Sequence, residues 1–228
     1  MTYHRSFENR LRDDPGAPLL TWYDLDSGAR VELSATTFGN WVDKTGHLLV
    51  EEVDLETGDL VALPLLTERP GHWMTLVLVA ACWHLGATVT HHHDDRARLL
   101  IGGPGVEADP SGTPTWAVSL HPLGVGLPDP APGVLDWADE ARAQPDLHIP
   151  ADVPADAEAW ADPPVGFAEL SADPAASGRR LVVAGEPWPT VRAGLVTPVL
   201  TGGSVVLVEG AAGAGDLAGI AAEEHAEA

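Results

Sequence analysis

The stretch from Gly58 to Ala87, GDLVALPLLTERPGHWMTLVLVAACWHLGA, constrains the fold more than any other part of the chain. Gly58-Asp59 is a turn signal, Leu60 to Leu66 is an apolar run of strand length, and Gly71 to about Leu85 is an apolar run of helix length. Gly86-Ala87 then leads into a second short strand, Thr88 to Thr90. A strand apolar throughout is covered on both faces, and a helix apolar all round is buried. Strand, helix and strand in that order imply an α/β fold, a parallel or mixed sheet with helices on both faces.

The flanking sequence fits that class. Leu19 to Tyr23 and Arg30 to Leu33 flank the turn-forming DLDSG and read as a hairpin, and Ser34 reads as the N-cap of a helix carrying Phe38, Trp41, Val42, Leu48 and Leu49 on one side. Further strands are expected at Leu99 to Ile101, Trp116 to Leu120, Leu181 to Ala184 and Ser204 to Val208. Helices are expected around Val134 to Arg142, over Val191 to Thr201, and over Asp216 to Ala226 with Asp216 as cap. Gln144 to Pro164 is rich in proline and acid, which argues against a packed element and marks it as a flexible segment.

Composition narrows the function classes. At 228 residues the chain is read as a single domain, 1–228, able to bury a core without disulfides. Its one cysteine, Cys82, lies inside the apolar helix and reads as a packed thiol. With the polar N-terminus, this suggests a cytoplasmic protein. Pro70 to His93 is uncharged but contains five histidines, and its strictly apolar part falls short of a membrane span. A formal charge of −22, from 34 acids against 12 Lys and Arg, argues against nucleic acid, whose phosphates require clustered cations. Solubility or adaptation to salt accounts for the charge, with a basic protein partner as the alternative.

The order Gly58-Asp59, buried strand, apolar helix and Gly86-Ala87 resembles the front half of acyl-CoA synthetases and other adenylate-forming enzymes. Arg30 to Phe38 resembles that superfamily's strand, turn and helix start, and Leu195 to Val208 its helix, Gly-Gly turn and strand. The resemblance implies only the N-terminal portion of such an enzyme, a truncated and incomplete domain. It also implies a phosphate loop rich in Ser, Thr and Gly just before a Pro-Lys-Gly-Val exit, matched here by Pro163-Pro164-Val165-Gly166. The preceding Ala155 to Asp162, ADAEAWAD, has no Gly, Ser or Thr and adds Asp156, Glu158 and Asp162. A carboxylate about 4 Å from a phosphate costs on the order of 4 kcal/mol at intermediate dielectric. The catalytic lysine of the family has no counterpart either, because the single lysine, Lys44, is expected on an exposed helix face. Pro187 to Ala193 lacks the aromatic-histidine step of the family's acyl site.

On this reading no residue is catalytic, no cofactor is assigned, and the chain is a degenerate binding or interaction module. Its expected partner is another protein subunit or a second copy, or a small acyl or aromatic ligand. Trp188, Pro187 and Gly102 are the candidate pocket wall. The alternatives are a partial ATP- and Mg²⁺-dependent ligase that takes its phosphate loop and lysine from a second polypeptide, and a structural homo-oligomer that covers an open sheet edge. Among local motifs, His91, His93 and Asp95 within HHHDD are the candidate metal ligands, placed on one face if the strand continues through them. A shortened loop is the plainer reading, and no metal is assigned. Gly213-Ala214-Gly215 with Gly219 departs from the dinucleotide spacing. Signatures of hydrolase elbows, zinc proteases and P-loops are absent from the sequence.

Overall fold

A computed structural model describes residues 2–154 and 156–227, so Ala155 of the acidic stretch lies outside the described residues. In chain order the elements are α1 (Tyr3–Asp13), β1 (Pro18–Asp24), β2 (Ala29–Ser34), α2 (Ala35–Val53), β3 (Leu60–Ala62), α3 (Leu65–Glu68), α4 (Trp73–His84), β4 (Thr88–Thr90), β5 (Leu99–Gly102) and β6 (Thr115–Ala117). They continue with β7 (Val134–Asp136), α5 (Trp137–Ala143), β8 (Glu158–Ala161), β9 (Pro164–Gly166), β10 (Arg179–Val183), α6 (Pro187–Val191), α7 (Thr197–Thr201), β11 (Ser204–Glu209) and α8 (Ala214–Glu223). Two compact units result, the first from Met1–Gly39, Arg69–Leu76 and Leu170–Ala228, the second from Asn40–Glu68 and Val77–Glu169.

The first unit holds a mixed four-stranded sheet in the order β10-β11-β1-β2, antiparallel only between β1 and β2. The expected hairpin is present. Its turn closes through the Gly28 amide donating to the Asp24 carbonyl at 2.8 Å, and Gly28 takes φ 73°, which suits glycine. From Val205 onward β11 is buried at every residue, as expected of a strand paired in parallel on both sides. Val206 and Val208 pack with Ile220 of α8, joined by Leu181 and Leu217. The helix expected over Val191 to Thr201 starts earlier, at Pro187, which suits a first helical turn where its missing N–H costs nothing. It runs through a π-helical turn, Arg192–Val196, and stops at Gly202 with φ 70°. A Cβ on Gly194 in that turn would lie 2.8 Å from Leu207 Cδ1, so the buried Leu207 side chain would have to shift to admit one. α8 begins at Ala214 rather than Asp216. Asp216 is its third residue, and its carboxylate accepts from the Gly213 amide at 3.0 Å.

The second unit holds a seven-stranded sheet in the order β7-β6-β5-β3-β4-β8-β9, parallel throughout except for the β8–β9 pair. The strand expected over Leu60 to Leu66 stops at Ala62. Pro64 has no N–H to give a ladder, and the chain turns at once into α3. The helix expected from Val134 begins three residues later, because Asp136 caps it by accepting from the Asp139 amide at 3.1 Å, which leaves 134–136 free to form β7. Glu158–Ala161, inside the stretch expected to lack a packed element, is β8, with Ala159 and Trp160 fully buried. The Trp160 indole finds a partner in the Asp162 carbonyl, so burial of these two adjacent side chains with the indole N–H satisfied outweighs the local proline and acid content.

All twelve residues of α4 are buried, consistent with its lack of a polar face. At about 18 Å it is well short of the roughly 30 Å of a bilayer core, and no helix among the described residues is long and apolar enough to cross one. Cys82 lies within α4, and burial pushes its thiol up to about 12, which removes the thiolate at neutral pH.

Candidate functional site

Parallel strands deliver their following loops to one edge of a sheet, the edge at which α/β folds place ligands. In the second unit β4 and β8 are neighbours through Val89 and Trp160. The residues that follow them, His91-His92 after Thr90 and Asp162 after Ala161, therefore emerge side by side. His92 Nε2 lies 3.0 Å from Asp162 Oδ2, and one ring nitrogen of His91, one of His92 and a carboxylate oxygen of Asp162 all lie within 4.8 Å of one another. His91 is half-buried, with its ring 5.7 Å from Trp160 at 18°, and the two imidazole centroids are 3.9 Å apart. His92 and Asp162 are exposed.

Backbone contacts fix all three positions. The Thr67 hydroxyl donates to the His91 carbonyl at 3.3 Å, the His92 amide donates to Thr90 Oγ1 at 3.2 Å, and the Trp160 indole donates to the Asp162 carbonyl at 2.7 Å. His93 and Asp95 stand apart from this group. β4 ends at Thr90, so the strand alternation that would pair His91 with His93 does not extend to them. His93 Nε2 instead lies 3.2 Å from Asp109 Oδ2, and its Nδ1 is 3.7 Å from Asp95. Asp109 is held below the usual carboxylate range, first by the Ser111 amide and hydroxyl and then by His93. Among ligand-type side chains, imidazole with carboxylate is a set that holds zinc or nickel. Asp162 could not be read as a partner of the histidines without the pairing of β4 with β8, which brings together residues 70 positions apart.

The stretch that the resemblance gives to a phosphate loop, Ala155 to Asp162, is occupied from Glu158 to Ala161 by β8, which runs straight into the β8–β9 connection. That connection is two residues long: Ala161 pairs with Pro164, and only Asp162 and Pro163, joined by a cis peptide bond, lie between. Pro163 and Pro164 have no N–H to offer, and Asp162 presents a carboxylate. Lys44 is not the freely solvated residue expected. Its ammonium donates to the carbonyls of Arg142 and Gln144 and lies 2.9 Å from Asp146, pinning that segment to α2.

The same segment brings a second titratable cluster together in this unit. His148 packs edge-on against His47 with centroids 4.8 Å apart and lies 5.7 Å from His84, whose Nε2 is 3.6 Å from Asp43 Oδ1. Burial pushes Asp43 up to about 6, against the opposing pull of the His148 amide and His47, and burial lowers His148.

In the first unit the polar groups are locked in structural networks. Glu209, at the end of β11, accepts from the Trp22 indole at 2.9 Å, the Arg69 guanidinium at 2.9 and 3.0 Å, and the Gly71 amide at 2.9 Å. Two adjoining open grooves, of about 310 and 440 Å³, share Ser6, Leu200 and Thr201. Arg10, in the smaller groove, is already engaged by Asp14 and the Pro18 carbonyl. Of the residues proposed as a pocket wall, Pro187 (buried) and Trp188 (half-buried) open α6 in this unit, whereas Gly102 closes β5 in the other.

Acyl-CoA synthetase from Brucella canis superposes with a TM-score of 0.74 at 15% identity, over 99% of this chain and 46% of its own. The anthranilate CoA ligase AuaEII, solved with anthranoyl-AMP, gives 0.68 at 17% identity over 93% of this chain and 46% of its own. This is the acyl-CoA synthetase fold. The N-terminal domain of FACL13 from Mycobacterium tuberculosis shares it, with a TM-score of 0.66 at 13% identity, over 99% of this chain and 61% of its own. In sequence, a Mycobacterium tuberculosis protein described as a TIGR03089 family protein is 34% identical over 152 residues, 61% of this chain. The chain spans 59% of that relative's length and under half of the two synthetases. No family model matches the chain.

Proposed function

We propose that this chain uses the acyl-CoA synthetase fold as a binding or interaction module and does not itself adenylate a carboxylic acid. The observation that carries the reading is the two-residue β8–β9 turn. A loop that holds a triphosphate surrounds it with amides and hydroxyls. Asp162-Pro163-Pro164 instead offers one carboxylate and two prolines, so the residues at this place do not fit ATP and its Mg²⁺, and no adenylation step is derived through them. Lys44, occupied with Arg142, Gln144 and Asp146, supports the same reading. On this proposal the bound species is a small acyl or aromatic molecule or another protein subunit, and the protein acts in the cytoplasm.

Calorimetric titration of the purified chain with ATP and with AMP, each with Mg²⁺, tests it. The expected result is no heat at millimolar nucleotide. Micromolar binding, or AMP formation from ATP and any carboxylic acid, overturns the proposal in favour of a ligase whose anion donors come from elsewhere.

A further inference from the structure

We infer that His91, His92 and Asp162 bind one divalent transition-metal ion of the zinc and nickel type at the C-terminal edge of the seven-stranded sheet. Two imidazoles and one carboxylate are borderline ligands, which favour zinc, nickel, cobalt or copper over magnesium or calcium. Bonds of about 2.1 Å in a tetrahedral site place ligand atoms about 3.4 Å apart. His92 and Asp162, 3.0 Å apart, stand a few tenths of an ångström inside that spacing, and the ligand atoms of the full set lie within 4.8 Å of one another, so small side-chain shifts bring all three to one ion.

The positions are built before any ion arrives. The two histidines follow β4 and the carboxylate follows its neighbour β8, so the sheet sets their separation. Trp160 braces the His91 ring, and the bonds from Thr67, Thr90 and Trp160 hold the three backbones. Pre-ordering of this kind reduces the entropy lost on binding. A formal charge of −22 raises the local concentration of cations around the whole chain. Three protein ligands leave a coordination position for water or for an anionic ligand. The ion thus restores a positive centre to an edge whose hairpin supplies no anion donor. The inference uses only these side chains and stands whether or not nucleotide binds.

The test is titration of the EDTA-stripped full chain with Co²⁺, followed by its visible absorption, and with Zn²⁺, followed by calorimetry. One ion per chain at micromolar affinity is expected. His92→Ala and Asp162→Asn should each weaken binding by at least the roughly tenfold that loss of even an outer partner costs. His93→Ala should leave it unchanged, since His93 is turned to Asp109. Asp162→Asn keeps the carbonyl that receives the Trp160 indole, so its effect reports the carboxylate. Absence of uptake overturns the inference. So does equal weakening by His92→Ala and His93→Ala with Asp162→Asn silent, which would mark a loose histidine run rather than this site.

Discussion

Asp43 and Glu224 are both carboxylates partly withdrawn from water, and their surroundings move them in opposite directions. Asp43 is dominated by burial and rises to about 6 from 3.8. For Glu224 burial opposes ionisation, but bonds from Arg30, Tyr23 and Arg179 outweigh it and hold the group at about 2, below its ordinary 4.5. The linkage signs follow. An acid with a raised folded pKa costs stability above that pKa, and the cost fades as pH falls from about 6 toward 3.8. Asp43→Asn should therefore raise the melting temperature at about pH 8 and lose most of that gain near pH 4, in thermal melts followed by circular dichroism. An equal effect at both pH values would refute burial as the cause. An acid with a depressed folded pKa contributes stability that is complete above 4.5 and lost as pH falls toward 2. Glu224→Gln should flatten the acid-side loss of stability over that window in urea titrations, at the expense of lower stability at neutral pH. Neither group was legible in the sequence. Tyr23 and Glu224 are 201 positions apart, and only the fold places them together.

At the scale of elements, legibility followed the strength of the local signal. The DLDSG hairpin, the Ser34 cap and the apolar α4 were readable because turn chemistry, capping and burial all act within a few residues. Ser34 Oγ accepts from the Thr37 amide at 3.1 Å, so Ser34→Ala should cost about 1 kcal/mol in urea denaturation with an unchanged m value. No loss would mean that neither the cap nor the hydroxyl's pairing with Thr37 Oγ1 contributes to stability. β7 and β8 were not readable. Each is only three or four residues long, and what makes it a strand is the neighbour it pairs with, Thr115 to Ala117 for β7 and Val89 for β8. The candidate site shares that obscurity. His91 was visible in the histidine run, whereas His92 and Asp162 required the register of two strands.

The charge belongs to the whole molecule. With 34 acids against 12 Lys and Arg, self-repulsion opposes folding and is screened by salt. Between ionic strengths of about 0.01 M and 0.15 M the screening length falls from about 30 Å to about 8 Å. The melting temperature should rise across that interval, and a flat or falling curve in calorimetric scans would show that local pairs already balance the acids. The two compact units also bear on how such a chain can change. Its path passes from the first to the second after Gly39, back after Glu68, out again after Leu76 and back after Glu169. Neither unit is a continuous stretch of sequence. A recombination event that moves a single segment of the gene cannot therefore transplant either one as a cassette, so the two sheets are inherited together or not at all.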